Sequence, residues 1–143
     1  MLHALLLMAA MTVVHGRQAD ATPSATVRDA AHATLILDIE LRPGVHVYAP
    51  GVENHIPIAW TLDESPAYRT HDIAMPPARR LYMQAIDETV PVYEGRLRLT
   101  REIDIHAKTP LEITGSLRYQ ACDDQMCYRP EKLALHWTVT VPR

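Results

Sequence analysis

The chain is predicted to be all-β, an antiparallel sandwich in a single domain, and three features of the sequence carry that expectation. Apolar residues recur at every second position in one run after another from residue 32 onward. Turn-forming residues punctuate those runs: Pro43-Gly44, Pro50-Gly51, Pro76-Pro77, Pro91, Glu94-Gly95, Pro110 and Gly115 fall between them or at their ends. After the first residues, no stretch sustains the 3.6-residue period of an amphipathic helix.

The runs come in order. Leu35, Leu37, Ile39 and Leu41 alternate with Thr34, Asp38 and Glu40, with Ile36 the one departure. Ile56, Ile58, Trp60 and Leu62 alternate with Pro57, Ala59, Thr61 and Asp63. Leu97, Leu99, Ile103 and Ile105 alternate with charged residues and Thr100, and Arg101 breaks the row by falling on the apolar face. Leu111, Ile113, Leu117 and Tyr119 follow, then Leu133, Leu135, Trp137, Val139 and Val141. Each run alternates as a half-buried strand does, one face in the core and one in water. Seven or so short strands at this spacing imply an immunoglobulin-like β-sandwich, without the Cys…Trp…Cys staple of antibody domains.

Ahead of these runs lies an apolar stretch from Ala4 to Val14. It is shorter than the roughly 20 residues a spanning helix needs, and its length suits the apolar region of a secretory signal. Residues 1–16 are therefore expected to be a signal peptide, residues 17–29 an N-terminal extension, and residues 30–143 the domain. No stable membrane insertion of the mature chain is expected. Export would place it in an oxidising compartment, where disulfides persist.

Composition narrows the function. The chain has 143 residues, enough for a core without metal or multiple disulfides. A formal net charge of -3 with no long run of either sign argues against nucleic acid or an anionic membrane as partner. Phe is absent, so aromatic packing falls to Trp60, Trp137 and the tyrosines.

The chemistry centres on YQACDDQMCYRP, Tyr119 to Pro130, which holds both cysteines of the chain. Three readings of Cys122 and Cys127 compete. As a staple the pair contributes little, because closing a loop of roughly six residues removes only about 2 kcal/mol of unfolded-chain entropy. As a metal site it lacks partners. His46, His55, His71, His106 and His136 are scattered singly, although Met126 beside Cys127 would suit a soft ion such as Cu(I). As a redox pair, it can close on itself after one sulfur has attacked a client disulfide. Asp123 and Asp124 are expected to raise the Cys122 thiol while Arg118 and Arg129 oppose them, leaving a sluggish thiol until a partner docks.

YQACDDQMCYRPE, Tyr119 to Glu131, resembles the active-site segment of the N-terminal periplasmic domain of DsbD, the bacterial thiol:disulfide interchange protein. GVHVYAPG, Gly44 to Gly51, is similar to that family's aromatic strand and turn, with Tyr48 where the family carries a tyrosine near the cysteines. AIDETVPVYEGRLRL, Ala85 to Leu99, is similar to the acidic loop that caps the disulfide. The likeness covers roughly residues 30 to 141. It implies an immunoglobulin-like fold, a periplasmic location and no cofactor beyond a redox-active Cys122–Cys127 disulfide. By analogy Cys122 forms the mixed disulfide and Cys127 resolves it. Tyr48, Asp87, Glu88 and Thr89 would cover the bond, with Tyr119, Gln120, Asp123, Asp124 and Tyr128 flanking it.

Two departures stand out. The spacing here is C-x4-C, one residue shorter than in the well-known enterobacterial form. The cap phenylalanine of that form has no counterpart, which leaves Thr89 or Val90 to shield the sulfurs. The resemblance implies a relay within cytochrome c biogenesis and related reductive pathways. A membrane dithiol carrier or thioredoxin-fold protein would supply electrons, and oxidised periplasmic clients would receive them. Two rival readings remain open at this stage: a binding module whose disulfide only tidies a loop, and a periplasmic copper-binding protein.

Overall fold

The alternation in the sequence becomes three antiparallel sheets in the computed structural model, which describes residues 11–142. Twelve strands lie among the described residues. They are β1 (Val14–His15), β2 (Ala19–Asp29), β3 (His32–Leu41), β4 (His46–Tyr48), β5 (Ala59–Leu62) and β6 (Tyr68–Ala74). There follow β7 (Arg79–Met83), β8 (Glu88–Glu94), β9 (Arg96–Ile105), β10 (Leu111–Tyr119), β11 (Ala121–Cys122) and β12 (Glu131–Val139). The sheets run β1-β2-β3-β9-β6, β12-β10-β5 and β11-β4-β8-β7.

The first two sheets enclose the main core. Leu35, Leu37, Ile39, Leu97, Leu99 and Ile103 of one pack with Leu111, Ile113, Leu117, Leu135, Trp137 and Val139 of the other. Trp60 and Trp137 stack with ring centroids 5.2 Å apart, and the Trp137 indole N–H donates to the Ile36 carbonyl at 3.1 Å. Arg101, the residue that breaks the β9 row, lies opposite Leu35 on β3. Its guanidinium sits 5.9 Å above the Trp60 ring and donates to the carbonyls of His71 and Trp60. An arginine is tolerated on the apolar face because an aromatic face and two carbonyls replace part of its hydration. Close packing also dictates Gly115: a Cβ there would lie 2.3 Å from the Thr61 carbonyl oxygen across the β10–β5 pair.

The structure bears on three expectations about the chain's layout. Residues 17–29, expected as an extension, hold β2, which pairs with β3 from Ala19↔Leu41 to Asp29↔His32. Its inward residues include Ala19 and Ala21, both fully buried. Their side chains are too small for the alternation to stand out in the sequence. Pro91 lies inside β8 rather than between strands, opposite Arg80. Its carbonyl accepts the Ala49 amide at 2.9 Å, just past the end of β4, where no N–H of its own is required. The expected leader over 1–16 lies outside the described residues up to residue 10; beyond that, β1 pairs with Asp20 and Ala21 of β2.

The third sheet positions the chemistry. Its strands are short and alternate between two environments. Val47, Tyr93 and Ala121 face the main core. Their chain neighbours Tyr48, Val92 and Cys122 face the opposite way, into a second cluster with Met83 and Val90. The period of two that buries one row of side chains thus delivers the next row to a separate site.

Candidate active site

Cys122 and Cys127 form a disulfide with Cα atoms 4.0 Å apart. The backbone explains their meeting. The Tyr128 amide donates to the Ala121 carbonyl at 2.8 Å and the Asp123 amide to the Met126 carbonyl at 2.9 Å. These two bonds flank the cysteines, which are therefore a non-hydrogen-bonded antiparallel pair, the position where opposing side chains approach most closely. The turn is built by Asp123, whose carboxylate accepts the amides of Gln125 and Met126, each at 2.8 Å, and the Tyr128 hydroxyl at 2.5 Å. The Tyr128 hydroxyl, and then the two amides, hold the Asp123 carboxyl below its ordinary value. Gln120 adds a brace, its Nε2 donating to the Tyr128 carbonyl at 3.2 Å.

The two sulfurs are not equivalent. Cys122 is fully buried, 0% exposed, held on β11 opposite His46 of β4. Cys127 is half-buried at the far side of the turn. Cys122 packs with Tyr48, Met83, Val90 and Val92, and Cys127, Val52, Leu81 and Ile86 lie against that group.

Tyr48 supplies the polar contact. Its hydroxyl lies 3.3 Å from the Cys122 Sγ and 3.6 Å from the Cys127 Sγ. Neither sulfur of a disulfide carries a proton, so the phenol is the donor in both. Burial, and next the nearby Glu88 carboxylate, push the Tyr48 hydroxyl above its ordinary value. It is a neutral hydrogen-bond donor at physiological pH.

The other expected site residues divide sharply. Glu88 reaches the site through His55, whose Nε2 lies 3.0 Å from the Glu88 Oε2 and whose ring stacks on Tyr48, centroids 4.5 Å apart and planes 14° from parallel. Asp87 stays in the turn between β7 and β8 with φ 52° and accepts the Tyr82 hydroxyl. A short polar side chain that tolerates this left-handed backbone explains the residue there. Thr89 is exposed and lies opposite Tyr82, whereas Val90, one residue on, is buried over Cys122. Of the two residues considered for the shield, Val90 holds it, with Met83 and Ile86. Asp124 is exposed at the tip of the turn.

Tyr119 belongs elsewhere. It is buried in the main core, and its hydroxyl donates to Glu131 at 2.5 Å. Arg17 joins through its amide at 2.8 Å and its Nε at 2.7 Å. Burial, together with the Glu131 hydrogen bond, raises the Tyr119 hydroxyl. Burial alone would raise the Glu131 carboxyl too, but the bonds from Tyr119 and Arg17 outweigh it and hold that carboxyl below its ordinary value. The cluster ties the chain before β2 to the start of β12.

Sequence reasoning treated His55 only as one of several single histidines. The signal that points to its role is the fold of its loop: the Ile58 amide returns to the Tyr48 carbonyl at 2.8 Å, which brings residues 49–57 back over Tyr48. Among the described residues no three His, Cys, Asp or Glu side chains converge as a metal site, and no helix is long and apolar enough to cross a membrane.

Comparison with known proteins agrees with this geometry. The N-terminal periplasmic domain of ScsB from Proteus mirabilis superposes with a TM-score of 0.57 at 15% identity, over 84% of this chain and 47% of that one. This chain therefore spans about half the length of that structure. The N-terminal domain of Neisseria meningitidis DsbD in its reduced form gives 0.55 at 13% identity, over 84% and 86%. The GAE domain of GGA2p from Saccharomyces cerevisiae gives 0.54 at 7% identity, over 91% and 97%, a likeness of fold alone. A search of curated protein sequences finds no match. The family described as "Thiol:disulfide interchange protein DsbD, N-terminal" matches residues 10–136 and so takes in both bonded cysteines: the chain belongs to that family.

Proposed function

We propose that this domain is a periplasmic protein-disulfide reductase. It takes two electrons from a thioredoxin-fold protein or a membrane dithiol carrier and passes them to oxidised client proteins. The observation that carries this reading is the unequal exposure of two bonded sulfurs beneath a hydrogen-bond-donating tyrosine.

The unequal exposure supports an order of attack opposite to the analogy drawn from the sequence. An incoming partner thiolate reaches the half-buried Cys127 and forms a mixed disulfide with it. The Cys122–Cys127 bond breaks, and Cys122 leaves as a thiolate beneath the Tyr48 hydroxyl. A hydrogen bond to a charged group is worth about 1.5–3 kcal/mol, so Tyr48 favours the step in which Cys122 gains charge. Cys122 then takes up a proton, and the partner's second thiol attacks the mixed disulfide and frees Cys127. The partner ends as a disulfide and the domain as a dithiol. Reduction of a client runs the same steps in reverse, with Cys127 attacking the client disulfide and Cys122 displacing the reduced client.

Met126, half exposed beside Cys127, offers a partner an apolar contact next to the reactive sulfur. The Val90, Met83 and Ile86 cover takes the place of the absent phenylalanine and leaves Cys127 the open side.

Trapping tests the order. Cys122→Ser leaves the accessible thiol and is expected to accumulate a mixed disulfide with a thioredoxin-fold protein whose own resolving cysteine is replaced by serine. Cys127→Ser, which leaves only the buried thiol, is expected to accumulate far less. The opposite ranking would restore Cys122 as the attacking sulfur. If neither variant traps a partner, exchange itself is the wrong reading.

A further inference from the structure

We propose that His55 is a positioning residue for disulfide exchange: it presses the Tyr48 ring so that the phenol hydroxyl stays on the sulfurs, and Glu88 acts on the reaction through it. The inference deepens the exchange reading above and rests on it. Three contacts in series carry it. The Glu88 carboxylate holds the His55 Nε2 at 3.0 Å, His55 lies flat on Tyr48 with 4.5 Å between centroids, and the Tyr48 hydroxyl lies 3.3 Å from Cys122 Sγ.

Each contact answers a need of the next. Tyr48 pairs with Val92 of β8 at its backbone, but a β-strand tyrosine still has freedom at its ring torsions. The ring is buried on the side of Met83, Val90 and Val92. His55 covers it from the 49–57 loop, with Asn54 at φ 63° turning the chain just before it. Aromatic pairs left to themselves favour offset or edge-on arrangements. Anchoring the imidazole edge to a carboxylate selects the near-parallel one, 14° between planes. The His55 side chain is only 16% exposed, whereas its anchor Glu88 is 53% exposed. The imidazole is therefore held largely buried against the Tyr48 ring, and the carboxylate fastens it from the solvent side. Tyr48, His55 from the loop that follows it, and Glu88 some forty residues on are linked in one series ending at the sulfurs.

The series makes a coupling prediction. In oxidised, folded protein, His55→Ala is expected to slow reduction by dithiothreitol about tenfold, comparable to the loss of one charge-assisted hydrogen bond. Tyr48→Phe is expected to slow it at least as much. The double variant should be no slower than Tyr48→Phe alone, because His55 acts only through the hydroxyl. With a thioredoxin-fold reductant the fall for His55→Ala should appear in kcat with KM unchanged. His55→Phe keeps a flat ring but loses the Glu88 anchor, so its rate should lie between those of His55→Ala and wild type. If His55→Ala does not fold, His55→Leu replaces it with the same expectations.

Two results overturn the proposal. Faster reduction of the His55 variant than of wild type would make His55 a cover over the bond. Multiplying effects in the double variant would give His55 a route that bypasses Tyr48. Failure of the underlying exchange reading looks different: wild-type protein itself would resist dithiothreitol while folded.

Discussion

The described residues form two hydrophobic clusters of very different character. The main one fills the space between two extended sheets with Leu, Ile, Val and the Trp60–Trp137 stack, and its members include neither cysteine. The smaller one consists of Tyr48, Met83, Val90, Val92 and Cys122, with a few half-buried neighbours, and it contains the disulfide. The two share strands β4, β8 and β11, since Val47 and Tyr48, Val92 and Tyr93, and Ala121 and Cys122 are sequence neighbours facing opposite ways. The difference teaches how a rigid fold hosts a bond that opens and closes. The main core lies on one face of a short sheet and the disulfide on the other, within the lesser cluster.

The separation fails or sharpens under four measurements, ordered by expected effect. Trp137→Ala empties the centre of the main core and is expected to destabilise the fold by about 3–5 kcal/mol in urea unfolding. The surviving folded fraction should exchange thiols at the wild-type rate. A changed rate per folded molecule would show the clusters to be coupled.

Glu131→Gln removes a mostly buried carboxylate that accepts from Tyr119 and Arg17. Its expected cost is about 1–3 kcal/mol at neutral pH. The sign with pH follows from the lowered folded value of this carboxyl. Its stabilisation is complete above the ordinary carboxylate range and is lost as pH falls through the folded value. Acid unfolding of the wild type should therefore be steeper than that of Glu131→Gln, and the two proteins should converge in stability at low pH. Equal slopes would remove the cluster from the account.

Reduction of Cys122–Cys127 is the third test. Opening so short a loop is expected to cost about 2 kcal/mol by the chain-entropy relation. The reduced protein should keep the far-ultraviolet signature of the sandwich. Unfolding on reduction would make the bond a structural staple and support the binding-module reading.

The smallest effects come from adjacent residues of β8. Val90→Ala, in the cover over Cys122, is expected to cost about 1 kcal/mol and to speed reduction by a small thiol severalfold. Thr89→Ala, on the exposed face, should change stability by less than about 0.5 kcal/mol and leave the rate alone. If both behave alike, Val90 does not shield the bond.

The sequence made part of this legible. The rows from Leu35 to Leu41, Leu97 to Ile105, Leu111 to Tyr119 and Leu133 to Val139 are strands in the structure, each burying the residues its alternation marks. β2 escaped because its inward side chains are alanines, whose hydrophobic signal is weak. β8 escaped because Pro91 suggested a break, and only the neighbouring strands show that its missing N–H falls where nothing needs it.

The cysteine pair, Tyr48 and the acidic turn were visible in the chain as residue types at particular spacings. Which side chain shields the bond, which sulfur is open and what braces the tyrosine were not. Alternation is a local property: it says which neighbours share a face, so it fixes strands and their inward rows without reference to the rest of the molecule. The site is assembled from segments around 48, 55, 88 and 122, and whether Val90 or Thr89, Cys127 or Cys122, faces the sulfur pocket or the solvent depends on how those segments pack. That packing exists only once the sheets have formed, and with it come the buried Cys122, the reachable Cys127 and the imidazole laid across Tyr48.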